Sequence, residues 1–447
     1  MLDETQAKQL TQEIIRRCQG QPVEVVISAQ DSRLTRFANN AIHQNVAESD
    51  LVLRVRRVIG KRIGIASTNR TDGSALDEAL HHAQANAQAS PEDPDYPGLA
   101  GPAEYQVAKA FDPVTSSYSP EGRAQQVGEV CRLAKESDLN ASGAFSTGSA
   151  ILSVANSEGL FAFHPYTKAD FQTVIMGEDS SGRAQSSSWQ VGDIPVVDLG
   201  REAIQKAQRG RHPQRVEPGR YTVIFDPYVT EDLLHMLNLY GMSAQAVLEG
   251  RSWMNDRQGK RAMSQLVSIW DDGLDPQGIP MPFDFEGVPK VRVDIIKEGV
   301  VDEPVYDRYT AHKAGKTTSG HAIPPFMRNY GPLATNLFMA PGSAELEEMI
   351  RSTEHGLYIT RFWYTRLVHP RDCVVTGMTR DGVFMIENGE LTRPVKNLRF
   401  TQSYVQALAQ VEAISKETRL LFSQYGNMAL RVPALKIKDF NFTGSTV

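Results

Sequence analysis

The sequence predicts an α+β protein of two domains, and three observations lead to this prediction. Apolar residues recur at helix spacing within residues 4–18, at Ala7, Leu10, Ile14 and Cys18. β-branched runs bounded by turn residues, such as residues 23–28, indicate strands. The length of 447 residues exceeds what one hydrophobic core usually contains, so a second domain is expected.

The first half of the chain combines helices with strands that turns separate. The pair Asn39-Asn40 tolerates turn conformations and predicts a hairpin within residues 33–47. Ser74 precedes an Ala- and Leu-rich stretch and predicts the start of a helix. The further predicted elements are strands at 51–58, 62–66, 141–147, 151–156 and 160–176, helices at 75–87 and 120–137, and a long loop or crossing segment at 89–119. Helices with mostly antiparallel strands give an α+β pattern.

A segment rich in Arg, Pro and Gly at residues 209–219 predicts the boundary between domains of residues 1–215 and 216–447. The second domain is predicted to begin with a strand at 221–225 and a helix from Val229 to about Leu248. Strands and turns follow until a last helix near 404–417. Residues 295–305 and 385–395 share Gly, Pro and Val in register, and we interpret them as two similar hairpins in one large sheet.

Composition and charge exclude several classes of protein. The net charge is −6 and no long Lys/Arg run occurs, which disfavours nucleic-acid binding. Two short basic clusters, at 54–57 and 209–211, are interpreted as solvated faces. The three cysteines form no CxxC pair, and no apolar run approaches the ~18 residues of a membrane span. The first residues are acidic, so we expect no signal peptide and a cytoplasmic location.

Common catalytic motifs are incomplete or absent in the sequence. Residues 314–318 resemble part of a phosphate loop, but Thr310 stands where that loop needs glycine. No GxGxxG, GxSxG or HExxH occurs. His235 lies alone in a predicted helix, and His312 and His321 have a spacing that matches no standard zinc pattern. Residue patterns alone therefore predict neither a catalytic residue nor a metal site, with His235 as a weak candidate ligand.

Three segments of the second half mix aromatic side chains with arginine. They are residues 306–309, 324–330 and 361–364. Such side chains can line a peptide groove, where apolar contacts combine with a few polar anchors. The alternative is that they pack between strands. The candidate substrate-binding residues are Tyr306, Arg308, Tyr309, His321, Arg328, Arg361 and Trp363.

Several segments together, and in this order, resemble the TldD/PmbA (TldD/TldE) metallopeptidase family. They are residues 35–45, 60–66, 156–159, 283–289, 306–309, 319–321, 336–342 and 386–389. The resemblance covers almost the whole chain. It implies an N-terminal α+β domain, a C-terminal domain built on a large curved, mainly antiparallel β-sheet, and dimers that enclose a proteolytic cavity.

The chain departs from the family at the zinc site of the TldD branch. That branch carries His-Glu-x-x-x-His on a helix and a cysteine near the C-terminus. Aligned on His235 as the first ligand, Met236 replaces the glutamate and Tyr240 replaces the second histidine. Residues 422–426 contain no cysteine. These departures resemble the TldE/PmbA branch, which implies a non-catalytic partner in a heteromeric peptidase.

The resemblance leads to one main hypothesis and two alternatives. The main hypothesis is a subunit that shapes the substrate cavity and binds peptide beside a TldD-like catalytic chain, with zinc in that partner and no cofactor in this chain. The first alternative is an active metallopeptidase whose rebuilt site draws on His235, His312, His321 or Cys373. The second is a non-enzymatic binding protein of the gyrase-modulator type, acting as a homodimer.

Overall fold

A computed structural model of the chain describes residues 1–423 and 428–445. It is an α+β structure with two large, mainly antiparallel sheets. Among the described residues, no helix has both the length and the apolar composition needed to cross a membrane. The helices are α1 (Glu4–Arg17), α2 (Gly73–Ala89), α3 (Pro113–Ser117), α4 (Pro120–Glu136), α5 (Val196–Arg209), α6 (Pro227–Leu237), α7 (Ala244–Leu248), α8 (Arg308–Ala314), α9 (Leu346–Arg351) and α10 (Tyr404–Ala409).

The first sheet has six antiparallel strands in the order β3-β2-β1-β4-β5-β6. Alternate residues of its strand β1, including Val25 and Ile27, pack against helices on one face, because successive side chains of a strand point to opposite faces. Val26 points to the other face and packs near Phe283 of the second half. The strands are β1 (Val23–Ala38), β2 (Ala41–Ile59), β3 (Arg62–Thr68), β4 (Asn140–Asn156), β5 (Phe161–Met176) and β6 (Ser181–Ser188).

Two sequence predictions for this sheet have opposite outcomes. The hairpin at Asn39-Asn40 is confirmed, and both residues adopt positive φ, 51° and 57°. The predicted break between strands at 141–147 and 151–156 is wrong, because β4 runs through it without interruption. Gly148 explains the difference: a Cβ there would lie 2.4 Å from the carbonyl oxygen of Asp31 in β1, so the glycine permits close passage of two paired strands.

The second sheet has thirteen strands, with β19 near its centre. β19 pairs with β7, β11, β17 and β18, and the pairs β7–β12 and β11–β19 are parallel while the others are antiparallel. The strands are β7 (Gly219–Phe225), β8 (Ile269–Asp271), β9 (Val293–Lys297), β10 (Val300–Val301), β11 (Asn336–Met339), β12 (His355–Ile359), β13 (Phe362–His369), β14 (Val374–Thr379), β15 (Val383–Glu387), β16 (Glu390–Pro394), β17 (Leu398–Ser403), β18 (Val411–Phe422) and β19 (Ala429–Ser445).

The two similar hairpins predicted in the second half are confirmed. β9 pairs with β10 and β15 pairs with β16, and the two hairpins lie at opposite ends of one path through the sheet. Their turns have the same form, with Glu298 and Gly299 at φ of 48° and 79°, and Asn388 and Gly389 at 52° and 80°.

The helix predicted from Val229 to about Leu248 is interrupted. α6 ends at Leu237, a π turn covers Asn238–Met242, and α7 follows. Two side chains that follow the helix donate hydrogen bonds to its carbonyl groups. Trp253 Nε1 donates to Leu237 O at 2.8 Å, and Ser252 Oγ donates to Gly241 O at 2.5 Å. Such bulges arise where an inserted group disturbs the regular helix ladder.

The helix predicted near 404–417 is also shorter than expected. α10 ends at Ala409, and β18 begins at Val411. Val411 and Ile414 are buried where β18 pairs with β19. Burial of these β-branched residues on a sheet outweighs the local helix preference.

Ion pairs and hydrogen bonds join the two sheets. Lys206 of α5 contacts Asp226, the N-cap of α6, at 3.0 Å. Glu202 of α5 pairs with Arg419 of β18 at 2.9 Å. Elsewhere Tyr105 donates its hydroxyl hydrogen to Gly287 O at 2.7 Å. These contacts fix the face of β1–β3 opposite the second half and leave a cleft between them.

Candidate functional site

Helix α6 lies inside the core of the thirteen-stranded sheet. Asp226 caps it, and its apolar side chains pack with β7 and β19. At one side, Glu231, Asp232 and His235 meet the start of β13 around a cleft of about 10 Å³. That volume is on the order of one water molecule. The β13 residues at this small cleft are Phe362, Trp363, Tyr364 and Thr365.

The two carboxyl groups of α6 differ in their partners. Asp232 accepts hydrogen bonds from Tyr404 at 2.7 Å and from Thr365 at 2.8 Å. Burial nevertheless raises the pKa of Asp232 to about 6. Burial, together with the charge of Asp232, raises the pKa of Glu231 to about 8. Glu231 therefore holds its proton at neutral pH, as expected for one of two close carboxyl groups.

Arg361 lies beside these acids in a buried ion pair. Its Nη1 contacts Asp381 Oδ2 at 2.7 Å, and Asp381 Oδ1 accepts a hydrogen bond from Ser181 at 2.8 Å. The guanidinium carbon lies 4.6 Å from the centroid of the Trp363 ring, in cation–π contact. Burial lowers the pKa of Arg361 to about 10, so the side chain stays charged at neutral pH.

His235 and its neighbours test whether α6 could bind zinc. His235 Nδ1 lies 2.8 Å from Ser423 Oγ, and burial lowers the pKa of the imidazole to about 4. Met236 is buried in the core, and Tyr240 packs against the same core from the π turn. Catalytic zinc needs three nitrogen, sulfur or carboxylate ligands, whereas these positions supply one imidazole, a thioether and a phenol. This donor set does not fit zinc.

The other residues of the rebuilt-site alternative have separate environments. His312 is exposed on α8. His321 is fully buried, with Nε2 2.8 Å from Asp271 Oδ1 and Nδ1 2.9 Å from Ser319 Oγ. Burial raises the pKa of the Cys373 thiol, which keeps it protonated. Within residues 1–423 and 428–445, no three His, Cys, Asp or Glu side chains are grouped to hold a metal ion. Residues 424–426 of the predicted cysteine-free segment lie outside the described residues.

A larger cleft, of about 410 Å³, lies between the two sheets. One wall is the helix-free face of β1–β3. The other wall consists of α7, α8 and the loops around Phe285 and Ile323. We call this space the intersheet cleft. Its apolar lining residues include Val26, Ile63, Ile65, Leu248, Phe285 and Ile323, and its charged ones include Glu24, Arg54, Arg56, Asp93, Glu249, Glu286, Asp307, Lys313 and Arg328.

Arg56 organises the charges of the intersheet cleft. Its Nε donates to Glu24 Oε1 at 2.9 Å, and its Nη1 lies 3.3 Å from Glu286 Oε1. Burial by itself would lower the pKa of Arg56, but the charges of Glu24 and Glu286 outweigh burial and raise it. Burial raises the pKa of Glu24, and the charge of Arg56 opposes that rise. One guanidinium therefore lies between two carboxyl groups contributed by the two halves of the chain.

The structure divides the predicted substrate-binding residues among four places. Tyr309 and Arg328 line the intersheet cleft, and Arg308 donates to Gly98 O at 2.9 Å beside it. Tyr306 precedes α8 and donates its backbone N–H to Ser319 Oγ at 2.7 Å. His321 lies in the core. Arg361 and Trp363 lie at the small cleft near His235.

Sequence reasoning missed several residues of both clefts. The cluster 54–57 was interpreted as a solvated face, which is wrong: Arg57 is 4% exposed, and the side chain of Arg56 is 16% exposed. The signal was the alternation of these arginines with Leu53 and Val55 along a strand. Glu231 and Asp232 were also missed, although two adjacent acids in an otherwise apolar helix are unusual.

The chain is similar to known proteins in both sequence and structure. The profile of the PmbA/TldA metallopeptidase C-terminal domain matches residues 218–444, and that of PmbA/TldA metallopeptidase domain 1 matches residues 23–87. A metalloprotease of Methanothermobacter thermautotrophicus is 24% identical over 53% of this chain and 52% of its own length. The match thus spans about half of that relative. A metalloprotease TldD homolog of Haemophilus influenzae is 21% identical over 88% of this chain and 86% of its own.

A solved structure of similar fold covers nearly the whole molecule. TldE from Thermococcus kodakarensis superimposes with a TM-score of 0.89 at 19% sequence identity, covering 97% of this chain and 100% of the other. The C-terminal domain profile matches half of the chain, residues 218–444. The structural similarity to TldE extends through the rest of the chain. The chain therefore belongs to the TldD/PmbA metallopeptidase family and has a TldE-like fold.

Proposed function

We propose that the chain is a non-catalytic subunit of a TldD/TldE-type zinc metallopeptidase system that acts on peptides or unfolded polypeptides. The supporting observation is the chemistry of α6. The thioether of Met236 cannot take a proton from water, and Tyr240 stands where the second histidine is expected. We propose that a TldD-like partner binds the zinc and that this chain is cytoplasmic. We also propose that its two domains meet between residues 215 and 216.

In this proposal the chain shapes the substrate cavity and binds substrate. Tyr309 and Arg328 border the intersheet cleft, with Arg308 and Tyr306 nearby, and they offer aromatic and cationic groups to a peptide. Trp363, which is 38% exposed, offers a second aromatic surface beside α6, and direct contact of the buried Arg361 with peptide stays a prediction from the sequence. Direct contact of His321 with peptide stays a prediction from the sequence.

The test is a reconstitution with three samples: this chain, a TldD-like chain from the same source, and both together. We expect hydrolysis of a fluorogenic peptide by the mixture and not by this chain alone. Zinc in this chain alone, measured by plasma mass spectrometry after dialysis, should be far below one atom per molecule. Size-exclusion chromatography of the mixture reports whether the two chains associate or each pairs with itself.

A variant separates this proposal from a rebuilt metal site in the chain itself. His235→Ala should leave hydrolysis by the mixture within about twofold, because in this proposal His235 makes no contact with the transition state whose loss would lower kcat/KM. Ser423→Ala is the matched control, since it removes the hydrogen bond to His235 and keeps the imidazole. Stoichiometric zinc in this chain alone, with hydrolysis that His235→Ala abolishes, would support the rebuilt site instead.

A further inference from the structure

The intersheet cleft contains two oxygen atoms that the protein leaves without a partner. Tyr96 is 8% exposed, and its hydroxyl forms no hydrogen bond within the described residues. The same holds for Oε2 of Glu286, whose side chain is 17% exposed. Buried polar atoms of native proteins are paired in the great majority, so two unpaired oxygens lining one cleft indicate a group that is still to bind.

The chemistry of these atoms specifies the missing group. A carboxylate oxygen can only accept hydrogen bonds, and a tyrosine hydroxyl can accept as well as donate. Glu286 meets Arg56 through Oε1, and Arg56 is shared with Glu24, so two carboxyl groups face one guanidinium. A cation with several N–H donors would pair both oxygens and be attracted by the Glu286 carboxylate. An ammonium group has three such donors.

Two cations of the chain near these oxygens have other partners. The guanidinium of Arg308 donates to Gly98 O at 2.9 Å, and Lys313 pairs with Asp95 at 3.1 Å. Neither contact satisfies Tyr96 or Glu286.

We propose that the intersheet cleft binds a primary ammonium group of a peptide between the Glu286 carboxylate and the Tyr96 hydroxyl. The adjoining side chain of the peptide lies against the apolar part of the wall. The cleft volume of about 410 Å³ falls in the range typical of ligand sites. The inference rests on the proposed function, because that function makes a peptide the ligand. The apolar contacts come from Val26, Ile63, Ile65, Phe285 and Ile323.

The ammonium can be a peptide N-terminus or a lysine side chain, and three peptides distinguish them. All carry a fluorophore at the C-terminus and the same apolar sequence. The first has a free N-terminus and no lysine, the second is N-acetylated, and the third is N-acetylated with one lysine. Fluorescence anisotropy with the full chain gives each Kd. We expect the acetylated, lysine-free peptide to bind at least about tenfold more weakly than one of the others, as loss of a hydrogen bond to a charged group predicts. Equal affinity for all three peptides would overturn the proposal.

Variants locate the site. Glu286→Gln and Tyr96→Phe should each weaken binding of the preferred peptide about tenfold and leave the acetylated, lysine-free peptide unchanged. Glu249→Gln is the matched control, because Glu249 lines the same cleft but is already paired with Gln245 and Arg251. Circular dichroism confirms that each variant is folded. Wild-type affinity for the preferred peptide in both Glu286→Gln and Tyr96→Phe would contradict the assigned position.

The binding experiment and the test of the proposed function can give opposite results, so failure of one proposal can be told apart from failure of the other. Binding is measured on this chain alone, whereas the peptidase role is measured as hydrolysis with a TldD-like chain. If the mixture hydrolyses peptide but acetylation and Glu286→Gln change no Kd, the ammonium site is refuted and the subunit role stands. If no hydrolysis occurs but the preference for a free amine depends on Glu286, the site stands and the peptidase role is refuted.

Discussion

The small cleft beside α6 and the intersheet cleft both contain buried acids, but these acids differ in how many hydrogen-bond and ion-pair partners they have. Beside α6, the Asp232 carboxylate accepts two hydroxyl groups and Asp381 is paired with Arg361. In the intersheet cleft, Glu286 Oε2 and the Tyr96 hydroxyl have no partner among the described residues. The cleft with the unpaired oxygens is also the larger one: the small cleft has a volume of about 10 Å³ and the intersheet cleft one of about 410 Å³.

Whether a buried polar group has a hydrogen-bond or ion-pair partner within the protein indicates whether it stabilises the fold or can bind a ligand. A buried polar group that the protein pairs stabilises one arrangement of the core, and removing its partner costs the full desolvation of what remains. A group left unpaired lowers stability until a ligand pairs it. Asp232 and Asp381 are paired and therefore belong to the framework, whereas Glu286 and Tyr96 of the intersheet cleft keep capacity for a ligand.

The largest expected effect is loss of the buried ion pair beside α6. Asp381→Ala leaves the Arg361 guanidinium, 9% exposed, without its carboxylate. We expect the free energy of unfolding in urea to fall by about 3–5 kcal/mol, as for other broken buried pairs. Asp198→Ala, in the exposed pair with Arg201, is the control and should cost less than about 1 kcal/mol. Similar losses in the two variants would show that Asp381 is not structural.

Substitution of Gly241 tests whether the π turn after α6 is fixed by packing. A Cβ there would lie 2.0 Å from Cδ1 of the fully buried Trp253. Gly241→Ala should lower the free energy of unfolding by about 3 kcal/mol, the upper end of the usual cost of overpacking. Gly128→Ala is the matched control, because a Cβ at this exposed α4 position meets nothing within 4 Å. It should stabilise the protein by about 0.5–1 kcal/mol. Equal stability of the two variants would mean that Trp253 moves freely.

The α6 acids should also make stability depend on pH. The pKa of Glu231 is raised to about 8, above its unfolded value, so the folded state binds the proton more tightly. The free energy of unfolding therefore falls as pH rises from about 4 to 8. Partial exposure of the side chain reduces the contribution between pH 5 and 8 to about 2 kcal/mol. Glu231→Gln should abolish this part of the fall, measured by urea unfolding at both pH values. If the free energy of unfolding of Glu231→Gln still fell by the same amount between pH 5 and 8, Glu231 would not be the titrating group. Glu121→Gln, on the surface of α4, controls for the substitution itself.

Local signals account for the parts of the fold that sequence reasoning predicted well. The turn at Asn39-Asn40 and the hairpins at Gly299 and Gly389 depend on neighbouring residues, so the sequence displays them directly. The interruption of α6 depends on Trp253 and Ser252, which lie beyond the helix. The pairing of β19 with β7, β11 and β17 likewise joins residues far apart in the chain. Such contacts leave no local periodicity to detect.

The clefts were harder to predict than the fold for the same reason. The motif comparison identified Met236 and Tyr240 as departures, because they occupy fixed positions on one helix. The intersheet cleft instead joins Glu24 and Arg56, from the first sheet, to Glu286 of a later loop. Nothing in the sequence shows that residues 24 and 286 approach the same guanidinium. The sequence therefore indicates a solvated face for Arg54 and Arg56, which the structure places in the cleft.

The smallest effect, and the sharpest comparison, comes from removing one hydroxyl in each cleft. Tyr404→Phe deletes a donor 2.7 Å from the Asp232 carboxylate, whereas Tyr96→Phe deletes a hydroxyl with no partner among the described residues. We expect Tyr404→Phe to lower the free energy of unfolding by about 1.5 kcal/mol, the lower end for a hydrogen bond to a charged group, because the raised pKa of Asp232 leaves part of it protonated. Tyr96→Phe should not lower the free energy of unfolding, because the hydroxyl that it removes is buried and has no partner among the described residues. Urea unfolding of both variants at pH 7 measures the difference. A loss in Tyr96→Phe as large as in Tyr404→Phe would mean that the protein itself pairs the Tyr96 hydroxyl, and the intersheet cleft would then lose one of the two groups assigned to ammonium.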